Sequence, residues 1–541
     1  MEDGDGFRRS SQPQPARAAA GPVVRLFALG TLLCPVFAGA QYLQALHGWE
    51  PPAHEQPRYP VSSCSSLSLF RHSGMTILTA EPQLATNSRP AICRVVIRIR
   101  PEILSEVALP ERWNRRLFMF GNGGYAGDKL DAPPRMAARN QALGLGFVVT
   151  QTNTGHDAER EPLAGFAVDS QKLEDFAFRA VHLTVVVAKK IAQAYYGEKP
   201  QRAYFQGCST GGRQGLIAAQ RFPDDFDGII AGAPSLDEIG DNLKRAAIVK
   251  ATMSEPVRTE KLNLLARRIY ALCDHLDGIR DGLISDPLGC RFDATRDLPR
   301  CTNSPELDCF TEPEIRTLNS IYEDLTFNGK RIYPGWPIGG EIAGRNGRSG
   351  WLDTMLTDAA ETSISRYVQS FLRYLVFKGT ASNLELKDVD LSRPLPGLDA
   401  LRRSLNATDP DLAAFRKRGG KLIVWFGWAD PLVNPARVVE YYQAVRGRMG
   451  SSTGDFFRLY MIPGVFHCGG GPGCDSFARL STLIQWVEGG TAPDNVVASC
   501  IQGDKVTRTR PLCAYPAVAT YRGFGSPDQA DSYTCLPPNS R

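Results

Sequence analysis

Apolar residues along the first half of the chain fall in short blocks separated by polar turns. Arg116-Leu117-Phe118-Met119-Phe120, Gly146-Phe147-Val148-Val149-Thr150, Ala203-Tyr204-Phe205 and Gly228-Ile229-Ile230-Ala231-Gly232-Ala233-Pro234 have the length and density of buried strands. Val95-Val96-Ile97-Arg98-Ile99-Arg100 alternates in part, which predicts an outer strand. Residues 173–196 place Phe176, Ala180, Leu183, Val187 and Ile191 on a helical period that Gly197 closes. A helix is also expected over 214–220. Strands that alternate with helices predict a mostly parallel sheet. From 235 to 405 the alternation stops, and helical segments with Gly/Pro-rich loops replace it. Lys421-Leu422-Ile423-Val424-Trp425-Phe426 and Phe457-Arg458-Leu459-Tyr460-Met461-Ile462 restore the strand pattern. The division is therefore a core in two parts, residues 41–234 and 406–541, with an insertion over 235–405.

The N-terminus is set apart from that fold. Residues 23–40 are apolar with Arg25 near their start, and Ala38-Gly39-Ala40 offers a small-x-small cleavage site before Gln41. This predicts an export signal over 1–40, with a membrane anchor as the alternative; no other segment is apolar for long enough to span a bilayer. Of 13 cysteines, Cys34 falls in that signal, and an even twelve remain for pairing in a secreted or periplasmic setting. A zinc site is disfavoured, because no compact Cys-x-x-Cys or His-Cys cluster has ligand spacing. Lys and Arg total 62 against 57 Asp and Glu, and no basic block is interleaved with aromatics. Nucleic acid is not expected as a partner.

The chemistry centres on Gly207-Cys208-Ser209-Thr210-Gly211-Gly212, between a predicted strand and a predicted helix. A serine on such a turn presents its hydroxyl above the sheet, and the flanking glycines admit the strained backbone. Asp430 follows the 421–426 strand, and His467 follows the 457–462 strand. The order Ser209, Asp430, His467 is that of a nucleophile, an acid that orients the imidazole, and a base that takes the hydroxyl proton. The Thr210 N–H is one expected oxyanion donor. The second is expected from Gly121-Asn122-Gly123-Gly124-Tyr125-Ala126-Gly127, at Gly123 or Gly124. No Lys-Ser/Thr follows that loop, so it is not read as a phosphate-binding loop. Cys208 precedes the nucleophile and Cys468 follows the histidine, so a working triad would bring these two thiols together.

This constellation, with Gly211-Gly212-Arg213-Gln214, Gly427-Trp428-Ala429-Asp430, His467-Cys468 and Arg510-Pro511-Leu512-Cys513, resembles the tannase and feruloyl esterase family from about Cys64 to Cys535. The resemblance implies an α/β-hydrolase core with a lid over 235–405. It implies an acyl-enzyme esterase for small esters of aromatic acids, feruloyl or galloyl, some attached to polysaccharide or polyphenol. A mono(2-hydroxyethyl) terephthalate hydrolase-like esterase is the alternative. It also implies the pairs Cys64–Cys93, Cys208–Cys468, Cys273–Cys290, Cys301–Cys309 and Cys513–Cys535, which leaves Cys474 with Cys500 by elimination, a pair the resemblance itself does not give. Within the lid, Asp274, Asp277 and Asp281 are spaced by three and four residues among glycines. With the carbonyls of Ile279 and Leu283 they would suit Ca2+, and the family holds a structural calcium at this position. No organic cofactor is implied. Trp351, Tyr367, Phe371 and Tyr374 are candidates for a ring-binding surface, and Val433 for the same pocket. A non-catalytic binding protein on this scaffold is the reading from another class, and it would be expected to have lost one of the three triad residues.

Overall fold

The computed structural model describes residues 50–537 except 51, 53–54, 303–305, 342–349, 353, 358–360, 381–383 and 392. The expected signal over 1–40, Cys34 included, lies outside the described residues.

The apolar blocks form strands, in chain order β1 (Met75–Gln83), β2 (Ile92–Ile99), β3 (Ile103–Pro110), β4 (Arg116–Phe120), β5 (Val148–Thr152), β6 (Arg202–Cys208) and β7 (Gly228–Gly232). A short hairpin, β8 (Leu325–Phe327) and β9 (Lys330–Tyr333), stands apart; β10 (Lys421–Gly427) and β11 (Phe457–Ile462) then return to the main sheet. That sheet has nine strands in the order β1-β2-β3-β5-β4-β6-β7-β10-β11. From β5 to β11 neighbouring strands run parallel, whereas β1, β2, β3 and β5 pair antiparallel. Strands β4, β5 and β7 are buried along their whole length, which is why they read as unbroken apolar runs. On the antiparallel side of the sheet the edge strand is β1, not the 95–100 run, which belongs to β2 inside the sheet. β1 alternates between half-buried and exposed positions, so its composition resembles a surface loop. The mixed sheet with helical crossovers is an α/β-hydrolase arrangement.

Four helices position the site: α1 (Pro133–Gly144), α2 (Ala180–Tyr196), α3 (Thr210–Arg221) and α4 (Glu238–Ser254). The helix predicted over 173–196 is α-helical from Ser170 to Glu174, passes through a π-helical turn over Asp175–Arg179 in which buried Asp175 pairs with Arg179, and is α-helical again from Ala180. Two apolar clusters result. One lines the sheet. The other gathers the helices of 235–405 with Tyr125, Phe166 and Phe176 from the first part of the chain. Two hairpins near the C-terminus, Asn495–Gln502 with Lys505–Cys513 and Val518–Tyr521 with Tyr533–Leu536, escaped the sequence pattern.

Among the described residues there are six disulfides. Five are the pairs implied by the resemblance, and the sixth joins Cys474 to Cys500.

Candidate active site

Strand β6 ends at Cys208, and α3 starts at Thr210, leaving Ser209 alone to turn the chain at φ 63°, ψ −122°. Such a conformation is costly for a residue with a side chain and persists only when its surroundings impose it. Here close packing imposes it. A Cβ on Gly207 would lie 2.6 Å from the Gly211 carbonyl carbon, so the turn closes on itself only with glycine at 207. The loop after β4 is tied to the same turn. Gly121 N–H donates to the Gln206 carbonyl at 2.9 Å, Asn122 N–H to Gln214 Oε1 at 3.0 Å, and the Thr210 hydroxyl to the Gly124 carbonyl. Thr210 and Gly124 line the cleft beside Ser209. Gly123 is not among the residues that line it.

Asp430 is buried beyond the end of β10. Its Oδ1 accepts the N–H groups of Leu432 at 2.8 Å and Val433 at 2.9 Å, which fixes the carboxylate. Its Oδ2 then accepts from His467 Nδ1 at 2.7 Å. That bond directs Nε2 away from the acid, as a general base requires. No hydrogen bond joins Ser209 Oγ to His467 among the described residues, a looseness common before substrate binds. The Cys208–Cys468 disulfide links the residue before Ser209 to the residue after His467 across 260 positions of sequence. The helical segment also buttresses the acid: Trp336 Nε1 donates to the Asp430 carbonyl at 2.9 Å.

The cleft has free space of about 20 Å3, enough for one water. An aromatic ring enters only if the walls move. Tyr125 and Tyr367 form those walls, with ring centroids 5.2 Å apart, and Leu432 and Val433 add apolar surface. Tyr367 lies on α5 (Ser363–Ser370). Of the other ring-binding candidates, Trp351 and Phe371 are fully buried in the helical cluster and Tyr374 is packed against it. Arg213 is also fully buried, with its guanidinium on the carbonyls of Ala177 and Leu405. A larger cavity of about 210 Å3 lies under the C-terminal hairpins, bordered by Trp428, Met461 and Tyr515, and no triad residue lines it.

Sequence reasoning missed the polar end of the cleft, where Ser235, Glu238 and Arg245 converge. Glu238 opens α4, and acidic residues in a first helical turn are commonplace, so nothing in its spacing singles it out. Burial pushes the neighbouring Asp241 carboxyl up to about 7 against the pull of Arg245, and the Glu238 charge adds to the rise.

The acidic turn in 235–405 is arranged differently from a bare loop. Asp274 accepts backbone N–H groups from Asp281, Gly282 and Leu283. Asp277 accepts from Ile279 N–H at 3.2 Å and from Ser285 Oγ at 2.6 Å, while Asp281 pairs with Arg510. Burial, with the charge of Asp281 adding, pushes Asp277 up to about 6. Among the described residues, no three His, Cys, Asp or Glu side chains are gathered as a metal-ligand group. The donor set, three carboxylates plus backbone oxygens, nevertheless has the hard-oxygen chemistry that suits Ca2+.

The family described as tannase and feruloyl esterase matches residues 87–536. A probable feruloyl esterase of Arthroderma benhamiae is 30% identical over 93% of this chain and 96% of its own. A mono(2-hydroxyethyl) terephthalate hydrolase of Piscinibacter sakaiensis is 30% identical over 81% of this chain and 82% of its own. The crystal structure of feruloyl esterase B from Aspergillus oryzae superposes with a TM-score of 0.75 at 28% identity, covering 87% of this chain and 99% of that one. The chain belongs to the tannase and feruloyl esterase family and is a carboxylic ester hydrolase of that type.

Proposed function

We propose that this hydrolase works through a serine acyl-enzyme and acts on small esters of aromatic acids. Ser209 Oγ attacks the ester carbonyl as His467 Nε2 takes its proton. The tetrahedral oxyanion is held by the N–H groups of Thr210 and the 121–127 loop. Gly124, which lines the cleft, has better support than Gly123. His467 then protonates the leaving alcohol, and a water activated by the same imidazole releases the acid. Each oxyanion donor contributes about 3 kcal/mol to the barrier reduction. The observation that carries this reading is the Asp430–His467 bond, held beside a strained Ser209 by the Cys208–Cys468 bridge. Ser209→Ala should lower kcat about 10^5-fold or more while leaving the circular dichroism spectrum unchanged. A variant that retained wild-type turnover would refute the serine mechanism.

Feruloyl esters are favoured by the feruloyl esterases among the relatives and galloyl esters by the tannase part of the family description, either free or attached to polysaccharide or polyphenol. The terephthalate-monoester reading stands beside them through one relative. Residues 235–405 act as the lid, because Tyr367 and Arg245 reach the cleft from that segment. The twelve paired cysteines favour assembly in an oxidising compartment, periplasmic or extracellular, after removal of residues 1–40. Ca2+ on Asp274, Asp277 and Asp281, with the Ile279 and Leu283 carbonyls, would relieve the acidic turn and stabilise the lid. Chelation should then lower the melting temperature, and re-added Ca2+ should restore it; a melting curve indifferent to both would remove the calcium assignment.

A further inference from the structure

The cleft beside Ser209 holds one carboxylate that the ester mechanism does not use. Glu238 is 5% exposed and lines the same small space as the nucleophile. Its Oε2 accepts the Ser235 hydroxyl at 2.6 Å, and its Oε1 accepts the Asn242 amide at 2.9 Å. Both donors are neutral, and a carboxylate has about four acceptor positions, so two remain. The other charged group in the cleft, Arg245, is already engaged. Its Nε and Nη2 both donate to the Leu432 carbonyl, at 2.9 and 2.6 Å, and its charge lies 3.9 Å from Asp241. Among the described residues, the polar end of the cleft therefore offers spare acceptors on Glu238, and its cation, Arg245, is committed through Nε and Nη2 to the Leu432 carbonyl. The walls next to it, Tyr125 and Tyr367, are aromatic.

We infer that Glu238 selects esters whose acid ring carries a hydroxyl donor, and that it rejects rings carrying a second carboxylate. The inference rests on the serine-esterase reading and decides between the two substrate classes left open above. A phenolic O–H donating to Glu238 would occupy a free acceptor in a site shielded from water, where a charge-assisted bond is strong. An unsubstituted ring would leave the carboxylate without that donor. A carboxylated ring would bring a like charge into contact with it. Sites built to hydrogen-bond a substrate hydroxyl reject analogues that lack it far more sharply than apolar pockets discriminate by size, by factors up to about 10^4.

The experiment compares kcat/KM of the wild-type protein on methyl 4-hydroxycinnamate, methyl cinnamate and methyl 4-carboxycinnamate, all with the same methanol leaving group. The expected order is hydroxyl above unsubstituted by about 100-fold, with the carboxylate poorest. Glu238→Gln removes the charge and keeps the shape. It should raise the carboxy-to-unsubstituted ratio at least about tenfold and lower the hydroxy-to-unsubstituted ratio. Equal wild-type rates on all three esters, or a carboxy ester preferred over the unsubstituted one, would overturn the role of Glu238. Ratios unchanged in Glu238→Gln would do the same. The wild-type order alone decides the matter if the variant does not fold. Absence of turnover on every ester would instead count against the serine-esterase reading, so the two failures are distinguishable.

Discussion

The sheet side and the helical side of the cleft are built on different principles. On the sheet side, backbone constraints position the nucleophile and the acid: Ser209 at positive φ, glycines in contact across the turn, and Asp430 fixed by two amide donors. On the helical side, side chains do the positioning: Tyr367 as a wall, Arg245 on the Leu432 carbonyl, and Glu238 with neutral donors only. Reaction geometry tolerates little error, and backbone contacts are hard to deform. Recognition must differ among relatives of one chemistry, and a side chain changes with one codon. The same family can thus keep one reaction on a fixed sheet edge and vary its substrates through the helices that face it.

Perturbations of the sheet side should be the more damaging to turnover. Asp430→Asn removes the charge that stabilises the imidazolium and leaves the wrong tautomer favoured. Its kcat should fall about 10^4-fold with the fold intact, as followed by single-turnover assay and circular dichroism. Replacing Cys208 and Cys468 together by Ala opens a bridge that spans 260 residues. We expect a loss of about 3–4 kcal/mol in urea-unfolding stability, and a kcat more sensitive to temperature than that of the wild type. Gly207→Ala forces a methyl group against the Gly211 backbone, which has no flexible side chain to yield, and should cost about 1–3 kcal/mol with a parallel loss of kcat. A Gly207→Ala protein with full stability and rate would mean that the turn is looser than its contacts indicate.

The same contrast explains what could be read from the sequence. Strands β4 to β7 and β10 were legible because both faces are largely covered, which leaves nearly continuous apolar runs, and β11 because most of its positions are buried although it closes the sheet. Ser209, Asp430 and His467 were legible because each sits just past a strand end among glycines, a local pattern with a backbone cause. Strand β1 and the C-terminal hairpins were not legible, because half-exposed antiparallel strands carry polar residues and resemble loops. The Cys474–Cys500 pair could be reached only by elimination, because it is the fold and no local pattern that brings residues 26 apart in sequence together. Glu238 was invisible for a third reason. Its importance comes from the cleft that α4 reaches, and nothing within α4 itself reports that neighbourhood.

The smallest expected effect concerns the helical side alone and sharpens the contrast through pH. Glu341 is 2% exposed, and it accepts Tyr322 Oη at 2.8 Å and Gly339 N–H at 2.7 Å. Burial outweighs these bonds and pushes its carboxyl up to about 7. In the unfolded chain the same group titrates near about 4.3. Between these values the folded protein holds a proton that the unfolded chain has released, so stability falls as pH rises through the window and is lower by the full amount above about 7. The shift sets a ceiling of about 4 kcal/mol, and relaxation of the site should leave about 1 kcal/mol of it. Glu341→Gln stays neutral throughout and lacks this contribution. Relative to wild type, the variant should gain about 1 kcal/mol between pH 5 and pH 8 in urea unfolding followed by tryptophan fluorescence. Curves that stay parallel across that range would show that Glu341 ionises freely in the folded protein. The helical side would then lack the buried, neutral-donor environment that separates it from the sheet edge.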